Sequence, residues 1–256
     1  MASHATHLVL IPSYNTGAKL VETVRDARRH WDPVWVVIDG STDSSAERLA
    51  ALAASDPGLR VFTLPQNVGK GAAVLHGIKA ARAAGFTHVL TMDADGQHPA
   101  DLIPDFMAAS CAQPAAMILG KPVFDASAPR IRVGGRRISN FFADLETHWA
   151  GIGDSLFGFR VYPLAALVQV MDRTMWMRRF DFDPEAAVRL VWAGVPPINK
   201  DAPVKYFRPE EGGVSHFHYV RDNVLLTWMH TRLVIGAVCR LPLRLWRARR
   251  MNSRPR

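Results

Sequence analysis

The sequence predicts an α/β fold, a Rossmann-like, mostly parallel central sheet with helices on both faces, followed by a helical tail associated with a membrane. Three observations predict it. Short apolar runs alternate with helical stretches through the first half of the 256 residues, at the spacing of strand–helix–strand units. Polar clusters close three of those runs, at the strand ends where such sheets bind ligands. The formal charge of +8 is carried by the end of the chain.

The elements follow in order. Leu8–Ile11 is apolar and stops at Pro12, and Ala18 to His30 reads as a helix. Val34–Ile38 is apolar and rich in β-branched residues, and it ends in "DGSTD". Ser44 to Ala53 is Ala-rich and helical, "RVFTL" is the third strand, and Gly69 to Ala84 is the next helix. "HVLTM" is the fourth strand and Ala100 to Ala112 a helix entered through Pro99. "AAMILG" is the fifth strand. From Lys121 to Gly135 the pattern lapses into a Pro, Gly and Arg-containing segment, expected to be a mobile loop over the site. A helix over Arg136 to Trp149, a strand at "GFRVYP", a helix in "FDFDPEAAVRLVWAG" and a last strand at "VKYF" complete the body.

Residues 1–220 are expected to form the enzyme-like domain and 221–256 a separate basic, apolar tail. From Arg221 onward there are nine arginines, no lysine and one acid, Asp222, so the body before it is neutral. Such a tail suits an anionic surface. Arg232, Arg240 and Arg244 interrupt its apolar residues and Pro242 is expected to break it, so it is a poor spanning helix. It is better read as lying in the interface, with Trp228 and Trp246 at headgroup depth. A solubilising tail and a helix packed on the body are the other readings, and the apolar positions do not fall on one clean face. Two cysteines, Cys111 and Cys239, make neither a disulfide framework nor a zinc spacing. No secretory signal is apparent in "MASHATHLVLIPSYN". The expected location is cytoplasmic, peripheral on the inner face of the cytoplasmic membrane.

The fourth strand ends in "MDADGQHP", which sets Asp93 and Asp95 two residues apart. In extended backbone Asp93, Asp95 and Gln97 share a face. Two carboxylates and an amide oxygen are a hard-oxygen set suited to Mg²⁺ or Mn²⁺, with positions left for waters and phosphates. A solvated Asp-rich turn is the plain alternative. "QNVGKGAAV" puts Gly69, Lys70 and Gly71 at a helix start, where free N–H groups favour anions. It lacks the Ser/Thr of a Walker loop and the third glycine of a dinucleotide fingerprint, and alone it reads equally as an unliganded helix start.

Together these residues resemble the family 2 glycosyltransferases with the GT-A fold, in particular the dolichol- and polyprenyl-phosphate sugar synthase branch. "IPSYN", "VVIDGSTD", "NVGKGAAV", "MDADGQHP", "DSLFGFR", "FDPEAAVRLVWAG" and "EEGGVSH" resemble that branch's ordered motifs over about residues 7 to 217. Ile38 stands where the family has an acid, Asp183 where it has Glu, and His216 where it has Lys.

The resemblance implies roles position by position. Pro12, Tyr14 and Asn15 line a nucleotide pocket, Asp39 binds the base, and Lys70 lies near the nucleotide. Asp93 serves ribose or metal, Asp95 the metal and Gln97 the metal shell. Arg130, Arg132 and Arg136 hold an acceptor phosphate, and His216 faces the diphosphate. The implied reaction is inverting transfer from a UDP- or GDP-sugar to a membrane-associated acceptor, a polyprenyl phosphate or other lipid. The metal would stabilise the departing diphosphate. A lipid phosphate needs no general base; a hydroxyl acceptor needs a carboxylate, for which Asp183 and then Asp154 are the candidates. Asp183 also reads as a simple helix cap. No nucleic-acid partner is expected. A non-catalytic nucleotide-sugar or lipid-binding protein and a nucleotidyltransferase are the competing readings. The second should carry a Gly-rich loop after the first strand, where "PSYNTGAKL" offers only Gly17.

Overall fold

The runs "LVLI" and "VWVVI" contain no polar residue, so the strands they form must be covered on both faces. They are. A computed structural model describes residues 5–124, 130–205 and 219–252, with side chains at all of these except 130–133, 219 and 242–252. Every residue of β1 (His7–Ser13) and β2 (Val34–Asp39) is buried. They join β3 (Leu59–Leu64), β4 (His88–Thr91), β5 (Met117–Val123), β6 (Arg160–Pro163) and β7 (Pro197–Pro203) in a seven-stranded sheet of order β3-β2-β1-β4-β6-β5-β7. Only β6 runs antiparallel to its neighbours.

The period of two divides the core. Leu8, Leu10, Trp35 and Val37 face α3 (Lys70–Ala83), α6 (Leu164–Asp172) and α7 (Phe182–Trp192). Val9, Ile11, Val36 and Ile38 face the opposite layer of α1 (Ala18–His30), α2 (Ser45–Ala53) and α4 (Ile103–Ala112). The GT-A-type architecture expected from the sequence is the one observed.

Four local expectations are corrected. β1 does not stop before Pro12 but runs to Ser13, with Pro12 opposite Val37. Pairing with β4 ends at Leu10, so the missing N–H of Pro12 costs no ladder bond. The expected loop over Lys121–Gly135 is partly ordered structure. Residues Lys121, Pro122 and Val123 extend β5 along β7, and α5 (Arg130–Thr147) already includes Arg130, Arg132 and both glycines, Gly134 and Gly135. Each helical glycine costs about 1 kcal/mol relative to alanine, a cost set against the packing of the helix's inner face. The last strand is Pro197–Pro203; "VKYF" follows it, and Tyr206 and Phe207 lie outside the described residues. Finally, α6 had no counterpart in the sequence reading. It is short and buries Leu164, Leu167, Val168, Val170 and Met171, which leaves little of a one-sided pattern to detect.

The tail is a single helix, α8 (Tyr219–Asn252), so the expected domain boundary falls in its first turn. It continues through Pro242, where a break was expected. Proline removes one backbone bond, to Val238, and the flanking Leu and Arg residues favour helix. The helix packs on α5 and α7. Met229, Leu233 and Ala237 are buried on that side, while Val220, Val224, Trp228, Ile235 and Val238 are exposed and fall on the other. Two apolar stripes on opposite sides explain why no single clean face was legible. By length and composition alone Val220–Leu241 is apolar enough to cross a bilayer, against the sequence expectation. Its packing on the body suits a helix lying along a surface.

Candidate active site

Four loops converge at the carboxyl ends of β1, β2, β3 and β4, and hydrogen bonds between them fix their shape. The loop after β1 is tied to the loop after β2. Asn15 Oδ1 accepts the Thr42 N–H at 2.7 Å, and the Asn15 N–H donates to Ser41 Oγ at 3.0 Å. Asn15 holds a positive φ of 46° to make this turn. Asp39, at the end of β2, is buried. Its carboxylate accepts the N–H groups of Val68 and Gly69, both at 2.8 Å, and the Asn67 amide at 3.0 Å. Asp39 therefore sets the turn into α3, with both oxygens turned to that loop. Gly69 makes the turn with φ 101°, and a Cβ there would meet the Arg178 carbonyl at 2.5 Å.

That turn delivers Lys70 to the centre of the site. Its Nζ lies 2.6 Å from Asp93 Oδ1 and 2.6 Å from Asp183 Oδ2. The opposite wall comes close at Gly158, where a Cβ would stand 3.0 Å from the Lys70 Nζ and 3.2 Å from Asp93 and would press on the pair. The strand at Asp93 does not persist as the sequence reading required. β4 ends at Thr91, and residues 94–96 turn, with Gly96 at φ 75°. Alternation along a strand therefore does not decide where Asp93, Asp95 and Gln97 point. Gln97 instead gives its backbone N–H to Asp95 Oδ1 at 3.0 Å.

The two acids experience opposite fields. Burial would raise Asp93, but the charge of Lys70, helped by His98 and Arg160, holds it down at about 2. Burial raises Asp95 to about 6, and the charge of Asp93 adds to that shift against a smaller pull from Lys70. His98 is buried and driven down to about 4 by desolvation. Its Nδ1 accepts the Asp93 N–H at 2.9 Å, which fixes the turn. Burial would lower Lys70, but Asp183 and Asp93 outweigh it and its pKa is raised. Lysine thus relieves half of the repulsion that the sequence posed, and Asp95 keeps the rest. That is the condition a divalent cation relieves, and carboxylate oxygen is the donor Mg²⁺ or Mn²⁺ prefers. Among the described residues no three His, Cys, Asp or Glu side chains gather to hold a metal. The acids fit an ion that keeps positions for phosphate and water.

Asp183 is buried at the start of α7, and its Oδ1 has no hydrogen-bond partner. Asp154 is saturated. Its Oδ1 accepts the N–H groups of Leu156 and Phe157 and faces Arg136 Nη1 at 2.5 Å, while Oδ2 accepts from Asn140 at 3.1 Å. Of the two candidate bases, only Asp183 has an oxygen without a hydrogen-bond partner, and that oxygen is buried. Arg136 lies in α5 and not in a mobile loop as the resemblance implied, and its guanidinium is held by Asp154. The side chains of Arg130 and Arg132, and all of His216, lie outside the described residues. Pro12 is buried and Tyr14 half-buried beside the Asn15 turn.

Arg160, the last residue of "DSLFGFR", has a role that its place in the motif does not announce. Completely buried, it donates to the carbonyls of Asp154, Phe157 and Asp183 and to Tyr162 Oη. It joins the two candidate acids' backbones. A lone arginine opening an apolar strand was the available signal, since a buried guanidinium must find several acceptors.

Comparison with known proteins agrees with this geometry. Residues 8–182 match the family described as Glycosyl transferase family 2. An undecaprenyl-phosphate 4-deoxy-4-formamido-L-arabinose transferase of Pseudomonas aeruginosa is 39% identical over 104 residues, covering 38% of this chain and 30% of that protein. A dolichyl-phosphate beta-glucosyltransferase of Trichomonas vaginalis is 27% identical over 201 residues, 70% of this chain and 58% of that one. The chain thus spans only part of the curated relatives it matches. Glucosyl-3-phosphoglycerate synthase of Mycobacterium tuberculosis, crystallised with Mn²⁺ and UDP-glucose, shares the fold. Its TM-score is 0.63 at 16% identity, over 91% of this chain and 78% of that one.

Proposed function

The chain belongs to glycosyl transferase family 2, and from that premise we propose that it moves a sugar, with inversion, from a UDP- or GDP-sugar to a polyprenyl phosphate at a membrane surface. One observation carries the reading. At the strand ends Lys70 is shared between Asp93 and Asp183 and leaves Asp95 as a half-buried acid whose pKa is raised, the condition a bound cation would relieve. A folded protein keeps such an arrangement for binding or chemistry, because structurally it costs stability. The relatives named for undecaprenyl- and dolichyl-phosphate acceptors support the acceptor class.

The roles follow from charge. The Asn15 and Asp39 turns shape the nucleotide pocket. Asp95, with Asp93 beside it, would hold a Mg²⁺ or Mn²⁺ ion, which supplies positive charge to the leaving diphosphate. Lys70 fixes the direction of Asp93 and Asp183. Arg136, aimed by Asp154, receives the acceptor phosphate. That phosphate is already anionic and attacks without a base. For a hydroxyl acceptor, Asp183 would take the proton once substrate binding opens its buried, unpartnered Oδ1. The lipid partner is supported by the exposed stripe of α8 and the arginines at its end.

The test is turnover. Purified protein is mixed with UDP- or GDP-sugars and polyprenyl phosphate in vesicles, with and without EDTA. Transfer abolished by EDTA and restored by Mn²⁺ supports the reading, whereas donor binding without turnover favours a binding protein. Two further outcomes are expected. Calorimetric Mn²⁺ affinity should fall about tenfold per pH unit below pH 6, because Asp95 must lose a proton that it holds up to about 6 before an ion binds. Trp228→Ser together with Ile235→Ser should weaken flotation with anionic vesicles by at least about tenfold, since each exposed apolar side chain contributes roughly 1.5–3 kcal/mol when buried.

A further inference from the structure

One turn of α8 reaches into the body through polar contacts that a surface helix has no need of. His230, 7% exposed, places Nδ1 2.7 Å from Glu146 Oε1 and Nε2 3.0 Å from Ser139 Oγ. From Ser139 the chain of contacts continues. Ser139 Oγ lies 3.1 Å from Ser155 Oγ, and Ser155 donates through N–H and Oγ to Asn140 Oδ1, both at 2.8 Å. Asn140 Nδ2 donates to Asp154 Oδ2 at 3.1 Å, and Asp154 Oδ1 meets Arg136. Five side chains therefore link the tail helix to Arg136. Ser139, Glu146, Asp154 and Ser155 are all buried. Two residues on, Arg232 gives Nη1 and Nη2 to the two oxygens of buried Glu185, at 3.2 and 3.0 Å. Glu185 stands one turn into α7, which begins beside Asp183.

The geometry of this chain is demanding. A single apolar helix face would dock α8 at any small rotation or slide, whereas buried donors and acceptors are satisfied at only one. Ser139 and Asn140 are neighbours on α5, one turned to α8 and the other to the loop that carries Asp154. A displacement of His230 leaves Ser139 without one of its two partners, and Ser155 and Asn140 must reorient to satisfy it.

We propose that His230 is a positioning residue that couples the seating of α8 on the body to the aim of Arg136. The membrane helix, in this scheme, reports its placement to the acceptor end of the site through Ser139, Ser155, Asn140 and Asp154. The kinetic consequence rests on the proposed transfer to a lipid phosphate; the structural coupling does not.

Three variants test it: His230→Leu removes the polar contacts and keeps bulk, His230→Gln keeps a donor and an acceptor, and Leu233→Ala loosens the packing of the same helix without touching the chain of contacts. In the full-length protein, amide exchange at Leu156 and Phe157, whose N–H groups bond Asp154, should speed up on the order of tenfold in His230→Leu, a size usual for coupled sites. It should return towards the parent value in His230→Gln and change by a clearly smaller factor in Leu233→Ala, where the His230 contacts still hold the helix in register. With polyprenyl phosphate in vesicles, the KM for acceptor should rise by a similar factor in His230→Leu while acceptor-independent donor hydrolysis holds. Equal effects of Leu233→Ala and His230→Leu on the exchange of Leu156 and Phe157 would overturn the coupling, as would no change in His230→Leu. A parent protein that transfers to no lipid phosphate would instead refute the proposed function, and the exchange measurement would still decide the coupling.

Discussion

Asp95→Asn is expected to lower sugar transfer by about a thousandfold or more while leaving the metal-free protein at least as stable as the parent. The loss is sized by what removing one preorganised charge contact from a transition state costs, on the order of 10²–10³ in rate, with the metal's own contribution added. The stability follows from the field around the residue. Burial and the charge of Asp93 raise the carboxyl to about 6, so at pH 7 the folded protein holds the anion at a cost that the unfolded chain does not bear. The amide removes that cost. A gain of roughly 1 kcal/mol, or about 2–4 °C in Tm for a chain of this size, is expected in EDTA. In Mn²⁺ the order should reverse, because only the parent gains stability from the ion. Thermal melts in the two buffers and a transfer assay check all of this. A variant that loses activity by unfolding would show itself in the EDTA melt.

Lys70→Met should have the opposite signature, losing both activity and stability. The ammonium holds two acids at once, and its loss leaves Asp183 buried with neither oxygen paired to a cation. Stripping one partner from a buried ion pair costs roughly 3–5 kcal/mol. The low end applies here, because the Asp93 side chain is 34% exposed and keeps access to water. A fall of about 6–12 °C in Tm is expected. Adding Asp183→Asn to Lys70→Met should recover most of that loss without restoring transfer. The double variant therefore separates the scaffold's need for a counterion from the reaction's need for these groups.

Much of the site was legible because polar residues were confined to the strand ends. The carboxylates after "HVLTM" stand at a strand end where such sheets bind ligands, whereas Asp39 after "VWVVI" is taken up in holding the turn into α3. What could not be read is which charge answers which. Lys70 and Asp183 are far apart in sequence, and only the packing of α3 against α7 brings them to 2.6 Å. Likewise β6 carries "GFR" into the site by running backwards between β4 and β5, a strand order that local periodicity does not encode. The expected loop over Lys121–Gly135 failed for a different reason. Glycine and proline counted against regular structure there, and β7 and the packing of α5 outweighed them.

The late position of α8 in the chain has a consequence for how the protein is made. Glu146 awaits a partner 84 residues downstream, and Glu185 awaits its arginine fork 47 residues downstream. While the ribosome is still translating α8, Glu146, the Oε2 of Glu185 and the apolar faces of α5 and α7 stay uncovered in a nascent chain whose first four strands can already have settled. Protein stalled or cut before residue 230 should therefore attract chaperones and proteases, even though every residue of the proposed metal site has been synthesised.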